Sequence, residues 1–166
     1  PWKIDIVVET LTSESIDSYK YAVKHWEDII IGNEDSYSTE GLEDSGCVMP
    51  YSDTIDDLFI CARDEPIDGV GGEMLLCYYP TLSKPSLILT LFHISSTSSS
   101  PLIGTLGVAR AIYVRPNDGT VIIGAMEFDT DDVQAMIDAG TWESVVIHEM
   151  GHIIGKSIRY LCVHMM

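Results

Sequence analysis

Apolar and polar positions fall into stretches with two different periods, and these stretches define the expected elements. Residues 3–9 alternate and then run apolar, as a half-buried strand does. Farther on, Ile16, Tyr19, Val23, Trp26 and Ile30 recur every three or four positions, the spacing of one amphipathic helix over residues 16–30. Thr12 and Ser13 precede it as capping candidates, because a hydroxyl there can accept from an otherwise unpaired N–H of the first turn. Residues 32–46 are acidic and rich in Ser and Gly, and read as loop. Residues 55–62 read as a second strand, 68–72 as a tight glycine turn, and 108–114 as an alternating strand before a turn at 116–119.

The final third is the most legible part. Phe128-Asp129-Thr130 offers a helix start, and Val133, Met136 and Ile137 give a short helix that ends near Gly140. Thr141 stands where it can cap a further helix, running from residue 142 to about 154, and Gly155 supplies the stop. Strands interleaved with helices indicate an α/β or α+β domain.

With 166 residues, the chain is long enough for one domain with a sizeable core and short for two. Apolar residues at 46% against 21% charged mark it as globular rather than disordered. Twenty-six acidic residues against nine basic ones give a formal net charge of -17. That field repels phosphate backbones and argues against a nucleic-acid partner; for the rest it describes a solvated acidic surface. Cys47, Cys61, Cys77 and Cys162 contain no C-x-x-C pair, which disfavours a cysteine zinc knuckle and leaves disulfides and free thiols both open. The apolar stretch 74–94 is interrupted by Pro80, Lys84 and Pro85, so no span suits a bilayer crossing. A start at Pro1 without an initiator Met or signal peptide leads to the expectation of a fragment or processed form.

His148-Glu149-Met150-Gly151-His152 fits H-E-x-x-H inside the last expected helix. Positions i and i+4 stack on one helix face, so both imidazoles can reach a single metal ion. Imidazole nitrogens suit Zn²⁺, and catalytic zinc takes three protein ligands plus water. Glu149 adjoins the first ligand and is placed to act as general base toward that water, then to pass the proton to a leaving amine. A chance match in a chain this long is roughly one in a few hundred from residue frequencies. The flanking Val145, Val146, Ile147, Ile153 and Ile154 make the helix apolar and buried, and two buried histidines with a buried glutamate are costly unless something pairs with them.

His148 to Gly155 (H-E-M-G-H-I-I-G) matches the first eight positions of the metzincin signature H-E-x-x-H-x-x-G-x-x-H. Together with the preceding G-A-M-E-F-D-T-D-D at 124–132, this part of the chain resembles the leishmanolysin-like zinc metallopeptidases. Trp26-Glu27-Asp28-Ile29-Ile30, Ile55-Asp56-Asp57-Leu58 and Ile67-Asp68-Gly69-Val70-Gly71-Gly72 are similar to segments ahead of the zinc helix in that family. The resemblance covers about two thirds of the chain and is strongest over 124–155. It implies an α+β zincin fold, a twisted mixed sheet backed by helices with the zinc helix under the cleft. It also implies a single but partial catalytic domain over 1–166, a Zn²⁺ cofactor, peptide or protein substrates, and a secreted or membrane-associated extracellular setting. The compact pattern would place a third histidine at 158, which is Ile158. Leishmanolysin-like enzymes carry theirs well downstream, so this chain is expected to end before its third ligand. His164 is the one later histidine, outside any matching context. The alternative is a degenerate or truncated protein that binds zinc without catalysis. A glutamate third ligand, as in the other zincin branch, has no suitable residue after His152.

Other candidates are weaker. His25 and His93 lack spaced partners and read as packing or surface residues. Asp56-Asp57 and Asp131-Asp132 resemble no EF-hand loop; the second pair suits a helix N-terminus. Neither 69–72 nor Gly155-Lys156-Ser157 is a phosphate loop.

Two segments break the local logic and are expected to be foreign to the fold: 73–103 and 156–166. The family-like D-G-V-G-G at 68–72 should run into a Leu-Gly segment, yet G-T-L-G-V-A-R appears only at Gly104. The stretch between has no clean period, and long structureless insertions are rare inside compact domains. Retained introns would account for both, since Gly155-Lys156-Ser157 can be encoded by a splice donor and codons ahead of Ile103-Gly104 by a pyrimidine tract and acceptor. A surface loop and a natural tail are the alternative.

Overall fold

The computed structural model describes residues 1–9, 13–42, 53–67, 69 and 105–155. The expected segments 73–103 and 156–166, with His93 and His164, lie outside the described residues.

Three expected elements form close to their sequence bounds: strand β1 (Ile4–Glu9), helix α1 (Ser13–Ile29), and the element read at 55–62, which divides in two. Between α1 and that division lies a two-residue strand β2 (Tyr37–Ser38), inside the stretch read wholly as loop. It pairs antiparallel with β3 (Thr54–Ile55), while β4 (Leu58–Glu65) belongs to a different sheet. The cause of the break is polar. Asp57 is buried, and its carboxylate accepts the N–H groups of Lys3 at 2.9 Å and Glu34 at 2.6 Å. Buried Arg115 donates to the carbonyls of Asp56 (3.1 Å), Asp57 (2.9 Å), Asp35 and Val121. Backbone groups at 56–57 are thus turned toward side chains rather than into a ladder.

β5 (Gly107–Val114) matches its expected bounds to one residue, but β6 (Val121–Asp129) has no counterpart in the sequence reading. Its sequence, V-I-I-G-A-M-E-F-D, shows no alternation because the strand is buried on both faces. The main sheet runs in the order β1-β4-β6-β5, with β1–β4 and β4–β6 parallel and β5–β6 antiparallel. Helices α2 (Thr130–Asp138) and α3 (Trp142–Ile154) follow β6 directly. The result is a mixed α/β arrangement, with a mixed sheet and three helices among the described residues.

Strand alternation divides the core in two. Ile4, Leu58, Ile60, Ala62, Met126 and Phe128 point to the face where Tyr19 and Ala22 of α1, Val133 and Met136 of α2, and Trp142, Val146, Met150 and Ile153 of α3 pack. Phe59, Ile112, Ile123 and Ala125 point to the other face, against Ile55, Tyr37 and Leu42. Cys61, on this second side, is disulfide-bonded.

The join between α2 and α3 fixes the approach of the last helix. Asp129 caps α2 by accepting from the N–H of Asp131 at 3.0 Å, and Asp131 and Asp132 sit in the first turn as expected. Gly140, at φ +67, closes α2, with its own N–H on the Ile137 carbonyl and the N–H of Thr141 on Met136. This is a Schellman closure, which requires the left-handed conformation that glycine takes freely. Thr141 does occupy the N-cap position of α3, but its hydroxyl donates back to the Met136 carbonyl at 3.3 Å and makes no capping bond.

Gly124, at the centre of β6, lets α3 lie close to the sheet. A Cβ there would stand 2.5 Å from Cγ2 of Ile153. Gly124→Ala is therefore expected to cost about 2 kcal/mol through overpacking. Urea unfolding should show a lower midpoint at unchanged slope, and an unshifted midpoint would mean that α3 does not bear on this strand.

Candidate metal centre

α3 is the most apolar of the three helices, and its sheet-facing side carries Val145, Val146, Met150 and Ile153. Burying that face aims the H-E-M-G-H turn at a fixed place beside the core. The structure brings all three expected site residues together: ligating atoms of His148, Glu149 and His152 lie within 4.8 Å of one another. The Nε2 atoms of His148 and His152 are 2.8 Å apart, with ring centroids 4.5 Å apart and ring planes 84° apart. His148 is exposed, whereas His152 is buried and Glu149 has no solvent exposure.

This cluster can hold a metal ion. Both Glu149 carboxylate oxygens are buried without a hydrogen-bond partner among the described residues. A buried carboxylate without a donor or cation is costly, so the position asks for one. Two imidazole nitrogens on one tetrahedral ion, at bonds of 2.0–2.1 Å, stand about 3.3 Å apart. A spread of about half an ångström from the observed pair would accommodate that separation. Among the described residues no further histidine, cysteine or carboxylate joins the cluster.

Electrostatics follow from burial. Desolvation pushes the Glu149 carboxyl up from 4.5 to about 8. It lowers the proton affinity of His148, and takes His152 from 6.5 to about 4, with the neighbouring His148 adding to the shift. Both imidazoles are thus neutral at physiological pH, the form in which histidine ligates a metal.

These shifts set a pH dependence for the metal-free protein. Between about 4.5 and 8, Glu149 ionises in the unfolded chain but stays protonated in the fold, so stability falls as pH rises through that window. Below 6.5 the unfolded chain protonates His152 while the fold resists down to about 4, so stability also falls toward acid. Chemical denaturation should therefore show greatest stability near pH 5–6, a decline toward pH 8, and no such alkaline decline in Glu149→Gln. A flat profile from pH 5 to 8 would show that the carboxyl is solvated.

Two residues that sequence reasoning passed over support the site. Trp26, on α1, donates its indole N–H to the Ile147 carbonyl at 3.1 Å and lies over Gly151. Gly124 admits Ile153, as described. The available signal was the glycine within H-E-M-G-H, which leaves room for a large neighbour. His25, as expected, takes no part: its ring meets Trp26 edge-on at 5.5 Å and stacks near Tyr21.

Comparison with protein-family models, curated proteins and solved structures finds no match for this chain. No helix among the described residues is long and apolar enough to cross a membrane.

Proposed function

We propose that this chain is part of the catalytic domain of a zinc metalloendopeptidase of leishmanolysin-like type, with a zincin-like arrangement of sheet and helices. The observation that carries this reading is the buried, unpartnered Glu149 carboxylate beside two neutral, converging imidazoles on one helical turn. A satisfied core histidine pair would have no need of that carboxylate.

His148 and His152 would hold the ion. When bound, zinc supplies Lewis-acid polarisation of the scissile carbonyl and makes water more acidic. Glu149 takes the proton of the attacking water on a carboxylate oxygen and delivers it to the leaving amine. The charge of a bound cation would favour the ionised form of this buried carboxyl, which is the form a base needs. β5 pairs on one side only among the described residues, and its open edge offers an extended peptide a strand to lie against. The disulfide at Cys61 suits an oxidising compartment, in keeping with a secreted or membrane-associated extracellular protein.

One observation favours a second reading. Glu149 lies close enough to serve as the third donor itself, which would leave a metal-binding protein without a base. Metal analysis after dialysis, paired with cleavage of an unstructured protein substrate, separates the two. The peptidase reading expects retained zinc and chelator-sensitive cleavage. Zinc without cleavage supports the second reading, and no zinc at all removes both.

A further inference from the structure

We infer that Trp26 is a positioning residue of the metal centre, an indole clamp that fixes the turn of α3 from which His148 and His152 project; the inference rests on the cluster's being a metal site. Trp26 comes from α1, a different element, yet it touches both ends of that turn. Its Nε1–H donates to the Ile147 carbonyl at 3.1 Å. In a helix this oxygen already receives the N–H four residues on, so the indole occupies its second lone pair. The ring of the same side chain covers Gly151, where a Cβ would stand 2.8 Å from Cζ2 and 3.4 Å from Cη2. Trp26 thereby grips the residue before His148 and the residue before His152.

Glycine weakens a helix interior, and here the space it leaves is filled by the indole. On the opposite side, α3 is fixed by Ile153 against Gly124. Both imidazoles project from the one turn that Trp26 spans, so loosening or overwinding of that turn changes their separation and relative direction. The Trp26 clamp holds that turn at both ends, while the Gly124 contact seats the following residues on the sheet. The indole acts on the metal through the helix and not by touching it, in the manner of outer-shell groups that orient ligands.

The test is metal affinity measured beside the stability of the metal-free protein. Trp26→Phe keeps an aromatic ring against Gly151 and removes the N–H. Titration with Co²⁺, followed by visible absorption, and with Zn²⁺ by competition should show binding weakened about tenfold. The Co²⁺ band should change in position or intensity. Lower stability with unchanged affinity and an unchanged Co²⁺ band would overturn the inference, since a merely structural tryptophan behaves that way. Gly151→Ala keeps Trp26 but displaces its ring, and should weaken binding in the same direction; it decides the matter if Trp26→Phe does not fold. Should neither variant fold, the indole N–H of Trp26 in the unaltered protein decides, followed by nitrogen-15 NMR. Its exchange with solvent should slow on metal addition, and unchanged exchange overturns the clamp. If the unaltered protein takes up neither ion, the metal reading itself fails and the inference with it; if it binds and both variants bind equally, only the inference fails.

Discussion

Glu149→Gln is expected to abolish peptide cleavage while leaving zinc in place. Glutamine has the same shape and fills the same buried volume, but its amide cannot take a proton from water. Loss of general-base assistance alone lowers turnover by roughly a hundred- to ten-thousandfold. The substitution also removes an ionisable group whose carboxyl burial pushes up to about 8, so the variant should fold at least as well at alkaline pH. Zinc content and activity must be measured together on the same preparation. Activity lost with zinc retained identifies the carboxylate as the base. If zinc leaves with the carboxylate, Glu149 is a ligand, and near-normal turnover would remove it from the mechanism.

His152→Ala and His148→Ala should each abolish metal uptake. Each deletes one of only two imidazoles in the cluster among the described residues. A site reduced to one imidazole and one carboxylate has lost half of its nitrogen donors, and affinity should fall by more than about a hundredfold. The two variants should differ in the metal-free state. His152 is buried, so its truncation leaves a cavity, whereas His148 is exposed and its truncation leaves little. Inductively coupled plasma analysis after dialysis, with thermal unfolding in chelator, reads both effects. Unchanged zinc in both variants would rule the site out.

The three site residues were legible because helix geometry alone brings positions four apart onto one face, whatever the tertiary fold. The same locality explains the success with β1, α1, α2 and α3. It also explains the failures. β6 escaped because a strand buried on both faces carries no period of two, and an apolar run of that length has no signature of its own. The break inside 55–62 leaves no local sign because it depends on bonds from Asp57 and Arg115 that span 23 to 80 positions. Thr141 was expected to cap α3, but its hydroxyl found Met136 through a turn shaped by Gly140. The role of Trp26 was invisible for the same reason: its acceptor lies 121 positions away. Local spacing reveals donor atoms, and it is silent on what holds them still.

The parallel pairing of β4 with β6 has a consequence for how the molecule assembles. Arg63 and Glu127, neighbours across that ladder, are 64 positions apart in the chain. A sheet whose central ladder closes so large a loop must meet the entropy of closure before most of its contacts form, and such topologies fold slowly. The histidine-bearing helix packs on β6, so it cannot find its seat until that ladder exists. The H-E-M-G-H turn is thus organised only after that ladder, and metal capture at this cluster would follow sheet closure rather than guide it.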